Sequence, residues 1–167
     1  MKWTYFPKNH KITDNLKQVV SVFDNNIDNI DSSKYHYDSD TVLSFLATDL
    51  ESIGYRVERS KKETDKIKMP VLYGENGSIS LSFDADAYND KYRIVIEVEA
   101  GRAVTNYQFL KDFFEACCMS EAEYLCIAIR LHYRNSEDYR KVCEFFNAIY
   151  ASERFMVPLK GILIIGY

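Results

Sequence analysis

Over residues 12–30, Leu16, Val19, Val20, Phe23, Ile27 and Ile30 recur at helical intervals and predict a first helix, with Thr13 or Asp14 as its cap. The polar stretch DSSKYHYDSD interrupts the pattern with turn-forming residues. Val42, Leu43, Leu46, Leu50 and Ile53 then mark a second helix, capped by Ser39 or Asp40 and ended by Gly54. From Tyr55 to Arg59 the period changes to two, which predicts a strand. A charged loop, SKKETDK, separates it from a short apolar strand over Met69–Tyr73. The Asn76-Gly77 pair predicts a tight hairpin turn.

The clearest alternation follows. Ile79, Leu81, Phe83, Ala85 and Ala87 fall on one face of a strand over 78–88, and Ser80, Ser82, Asp84 and Asp86 fall on the other. A turn at Asn89-Asp90-Lys91 leads into Tyr92–Ala100, where Glu97 and Glu99 interrupt an apolar run. After Gly101 a helix is expected from about Val104 to Met119, then a buried strand from Tyr124 to Tyr133. Ser136 and Glu137 open a last helix through Val142, Phe145, Phe146 and Ile149, and Gly161–Tyr167 reads as a closing strand. Two helices, a meander, a helix, a strand, a helix and a strand predict a single α/β domain with a mixed sheet over residues 1–167.

Composition narrows the class. Hydrophobic residues make up 47% and charged residues 28%, so the chain can bury a core and is not a disordered one. The opening residues lack the apolar core of a signal peptide, and GILIIGY is too short to span a bilayer, so a cytoplasmic location without a membrane is expected. Cys117, Cys118, Cys126 and Cys143 form no CxxC, and His10, His36 and His132 are scattered, which argues against zinc and for reduced thiols. A net charge of −4 counts against a general nucleic-acid binder but leaves room for a local acidic active site.

The acids carry the candidate chemistry. Asp84 and Asp86 share one strand face, Glu97 and Glu99 share another, and the turn between makes the two strands antiparallel neighbours. A two-residue loop would set Lys91 opposite Tyr88, whereas a four-residue loop would set Glu97 opposite Asp84. Carboxylates so placed repel unless a cation or protons compensate them. Hard divalent cations, Mg²⁺ especially, take such oxygen ligands and can activate water against a phosphodiester. The competing reading is a solvated sheet face with no function. The Lys61, Lys62, Lys66 and Lys68 run reads as a solvated loop.

The segment DADAYNDKYRIVIEVEAGRAVTNYQFLKDFFEA resembles the core of the PD-(D/E)XK nuclease superfamily, with the restriction endonucleases of the BglII, BstYI and BamHI type as its nearest likeness. The shared features are an acid before a turn (Asp86 or Asp84), the Glu97-Val98-Glu99 pair, Gly101, and a helix containing Asn106-Tyr107-Gln108-Phe109-Leu110-Lys111. The helix ending LESIGYRVE resembles that superfamily's first core helix, with Glu51 as an accessory acid. Most of the superfamily has Lys where Glu99 stands, whereas the BamHI type has Glu.

The resemblance implies a restriction endonuclease-like three-layer αβα fold around a central mixed sheet. It also implies a Mg²⁺-dependent DNA endonuclease, with Mn²⁺ as an alternative metal, acting as a homodimer on double-stranded DNA. Asp86, Asp84 and Glu97 would hold the metal and Glu99 would orient the attacking water or take its proton. Lys111 and Arg102 would steady phosphate charge, although a solvated helix face and a plain loop position are the slightly favoured readings of the two. His132, at the end of the apolar strand, either reaches the site or, more commonly for such a position, is a core or rim histidine. The alternative is a catalytically degenerate protein of that fold that binds nucleic acid or a protein partner.

Overall fold

The structure, a computed structural model, describes residues 1–101, 103–131 and 133–167. Arg102 and His132, both singled out above, lie outside the described residues.

A six-stranded mixed sheet forms the centre, in the order β1-β8-β7-β6-β5-β2. Its strands are β1 (Lys2–Phe6), β2 (Arg56–Val57), β5 (Ala87–Asn89), β6 (Ile94–Glu99), β7 (Tyr124–Ile129) and β8 (Gly161–Gly166). β6, β7 and β8 run parallel, while β1, β2 and β5 pair antiparallel with their neighbours. The unbroken apolar runs of β7 and β8 follow from burial on both faces, which removes the need for alternation.

Helices cover both faces. On one, α1 (Asp14–Asn25), α2 (Ile27–Ile30) and α3 (Ser39–Ser52) bury Leu16, Phe23 and Leu46 against Ile94, Ile96, Cys126 and Leu163. On the other, α4 (Gln108–Cys118) and α5 (Asp138–Ser152) bury Phe109, Phe113 and Phe146 against Val95, Leu125, Ile127 and Ile164. Alternation along β6 therefore sends Glu97 and Glu99 to the α4 side, the face that Val95 shares. Among the described residues, no helix is long and apolar enough to cross a membrane.

Several expected boundaries move. The first helix divides at Asn26, whose side-chain amide donates to Val22 O and to Asp49 Oδ2, so α1 and α2 are separate. Asp38, rather than Ser39 or Asp40, caps α3 by accepting from the Thr41 N–H at 2.8 Å. The strand expected over 55–59 shrinks to β2, and β1, unmarked by alternation, pairs with β8.

The largest difference is in the meander. Residues 78–88 are not one strand. β4 (Ile79–Ala85) pairs with β3 (Ile67–Tyr73) in a separate two-stranded sheet, and β5 belongs to the main sheet. Asp86 is the joint where the chain passes from one sheet to the other. The Pro70 carbonyl accepts from both the N–H and the hydroxyl of Ser120, which anchors the β3-β4 hairpin beside the end of α4.

Candidate active site

The register of β5 and β6 differs from both expectations. Asn89 stands opposite Ile94, Tyr88 opposite Val95 and Ala87 opposite Ile96. Extending that ladder by one residue brings Asp86, rather than Asp84, level with Glu97. Two hydrogen bonds hold Asp86 at the joint. Its carbonyl accepts from the Glu58 N–H at 2.8 Å, and its Oδ2 accepts from the Val98 N–H at 2.8 Å.

A cleft of about 390 Å³ opens here. Its walls are the end of β6 with Glu97 and Glu99, the Asp84–Asp86 joint, the N-terminus of α3 with Asp38 and Asp40, and the polar stripe of α4. Among the described residues, the basic side chains lining it are Lys61, Lys66 and Lys111. Each is matched to an acid: Lys61 to Asp40 and Glu58, both at 2.9 Å, Lys66 to Asp84 at 2.5 Å, and Lys111 to Glu115 at 3.3 Å. Two members of the lysine run are therefore part of the cleft wall and not of a free loop.

Among the described residues, Asp86, Glu97, Glu99 and Asp112 have no such match. Burial pushes the Asp86 carboxyl up to about 6, against the pull of the Val98 N–H and Lys61. Glu97 is raised well above the ordinary glutamate value, first by burial and then by Asp86, Asp112, Glu115 and Glu99. Glu99 and Asp112 face each other within hydrogen-bond reach, and burial raises both. The cleft thus gathers carboxyl groups where burial and mutual repulsion oppose their ionisation.

Of the residues expected from the sequence, Asp84, Asp86, Glu97, Glu99 and Lys111 share this cleft. Glu51 does not line it; its carboxylate forms an exposed pair with Arg59. The cleft also takes in Asp112, Glu115 and Glu58, none of them singled out from the sequence, and Gln108, named there only as part of the helix. A signal was present: Gln108, Asp112 and Glu115 repeat at helical spacing between the buried Phe109, Phe113 and Ala116, which marks a polar stripe beside the acid strand. Glu58 was hidden because β2 ends at Val57, after which alternation no longer applies.

The donor set suits a hard divalent cation, since the unmatched groups are carboxylate oxygens and, among the described residues, no cysteine or histidine lines the cleft. Among the described residues, no group of three or more His, Cys, Asp or Glu side chains is already arranged to hold a metal ion. Mg²⁺ commonly takes one or two carboxylates and completes its shell with water. No protein-family model, curated protein or solved structure matches the chain.

Proposed function

We propose that this protein is a Mg²⁺-dependent phosphodiesterase, a DNA endonuclease, built on a restriction endonuclease-like three-layer αβα fold. The observation that carries the reading is the meeting of Asp86, Glu97 and Glu99 in one cleft, with raised carboxyl pKa values and, among the described residues, no ion pair to any of the three. Helices on both faces of a mixed sheet support the fold.

Asp86 and Glu97 would hold the cation, while Asp84 at the cleft wall is turned to Lys66. When bound, Mg²⁺ supplies a Lewis acid for a phosphoryl oxygen and offsets the repulsion among the carboxylates. Glu99 takes or orients the proton of the attacking water, and burial moves its pKa up toward the working pH, as a general base requires. Lys61, Lys66 and Lys111 line the cleft, and each would exchange its carboxylate partner for a phosphate of the substrate backbone. Double-stranded DNA as substrate and a homodimer as the acting unit belong to the same proposal.

One observation favours a second reading, a catalytically degenerate member of the same fold that binds nucleic acid or a protein. Every lysine described in the cleft is already paired with an acid, which weakens its hold on phosphate. Nicking of supercoiled plasmid in Mg²⁺, compared with a Glu97→Ala variant, separates the two. Cutting by the parent protein alone supports the nuclease. DNA binding without cutting supports the second reading.

A further inference from the structure

We propose that helix α4 supplies a cation ligand to this cleft: Asp112, facing Glu99, holds a divalent metal ion between α4 and strand β6. The inference rests on the metal-dependent reading above and extends it to a residue and an element that reading does not use.

The first observation is the state of Asp112 itself. Its side chain lines the cleft, the residue is only 6% exposed, and Oδ2 is buried with no hydrogen-bond partner among the described residues. Orphaned buried carboxylate oxygens are rare because each loses its water without compensation. A residue serving only the helix would have no reason to be charged here, since the core contacts of α4 come from Phe109, Phe113 and Ala116.

The second observation is the company it keeps. The group within hydrogen-bond reach is another carboxyl, Glu99, and Asp86 adds further negative charge. Among the described residues Lys111 is the cation acting on Asp112, and its ammonium is paired with Glu115. Two acids therefore stand face to face, and among the described residues no ion pair places a positive charge between them.

The chemistry of the site selects the ligand. Two carboxylates and an opening to solvent suit a small, hard, partly hydrated ion such as Mg²⁺ or Mn²⁺. Carboxylate oxygens, with no thiol or imidazole among the described lining residues, favour such an ion over Zn²⁺ or copper. An ion bound there would also bridge strand and helix, so its binding should stabilise the docking of α4.

Mn²⁺ binding to the full chain, measured by electron paramagnetic resonance, tests the proposal, together with thermal melts with and without Mn²⁺. Asp112→Asn is expected to weaken Mn²⁺ binding by roughly tenfold or more, the scale at which metal sites respond to a lost partner. It should also remove most of the Mn²⁺-dependent rise in melting temperature. Asp112→Glu, which keeps the charge, should retain part of both. Glu51→Gln, outside the cleft, should change neither. Should Asp112→Asn not fold, Glu99→Gln from the opposite wall must show the same loss.

Unchanged Mn²⁺ affinity in Asp112→Asn overturns the ligand, and so does a parent protein that takes up no Mn²⁺. Plasmid cutting that continues alongside such unchanged affinity leaves the nuclease reading intact. Conversely, Mn²⁺ uptake that requires Asp112 in a chain that cuts no DNA supports the ligand and removes the nuclease.

Discussion

Asp86 Oδ2 accepts a hydrogen bond from the backbone N–H of Val98 at 2.8 Å, so the joint between the two sheets is fastened to the strand that carries Glu97 and Glu99. This bond decides which aspartate faces the glutamates. Asp84, one strand-period earlier, turns instead to Lys66.

Asp86→Asn is therefore expected to reduce Mg²⁺-dependent nicking by about a hundredfold or more, the scale of losing a group that organises transition-state charge. Asp84→Asn should cost less than about tenfold, since it removes a partly exposed ion pair of small worth. Initial nicking rates of the two variants at saturating Mg²⁺ check this ordering. Equal losses would contradict the placement of Asp86 at the centre.

The raised carboxyl groups imply an unusual pH dependence. Asp86 has an ordinary value of 3.8 and a folded value of about 6, and Glu97 is shifted upward from 4.5. Below the ordinary values both groups are protonated in folded and unfolded chains alike, and they cost nothing. As pH rises, the unfolded chain ionises first, and stability falls until the folded values are passed. Asp14, Asp31 and Asp65 are lowered mainly by side-chain hydrogen bonds and act in the opposite sense, but only in more acid solution. The metal-free protein should thus melt at a lower temperature near pH 8 than near pH 5. Glu97→Gln should flatten that slope, and Mg²⁺ should raise the melting temperature most at the alkaline end. Calorimetry across this range would refute the account by finding a flat or rising trend in the parent protein.

Packing under the site should matter as much as its charges. Phe113 is fully buried and meets Phe146 edge-on, with centroids 5.2 Å apart. Phe113→Ala is expected to destabilise the fold by about 3–5 kcal/mol, read from urea unfolding midpoints. Phe113→Leu should cost less. Because the same helix carries Lys111 and Asp112, the alanine variant should also lose nicking activity before it unfolds globally.

The thiols offer a test independent of function. Cys126 is buried in β7, and burial pushes its thiol pKa upward; the Cys117 thiol is pushed up to about 12 by burial and then by Cys118. Cys118 is exposed. Alkylation of the native protein near neutral pH should modify Cys118 first and Cys126 only after unfolding. Peptide mass spectrometry showing Cys126 modified as early as Cys118 would place β7 wrongly in the sheet.

The amphipathic stripes of α1, α3, α4 and α5, the apolar runs of β7 and β8, and the common face of Glu97 and Glu99 could all be read from residue order. These features depend on periodicity, which is a local property of the backbone. Tertiary structure alone decided that the 78–88 run divides at Asp86, that Asp86 stands level with Glu97, and that β1 closes the sheet edge. It also brought Asp112 and Glu58 to the acids and left Glu51 outside. Strand register and sheet membership depend on which distant segments compete for the same hydrogen-bond edge, and helix rotation depends on which side chains the core accepts. Neither is encoded in the spacing of one segment by itself.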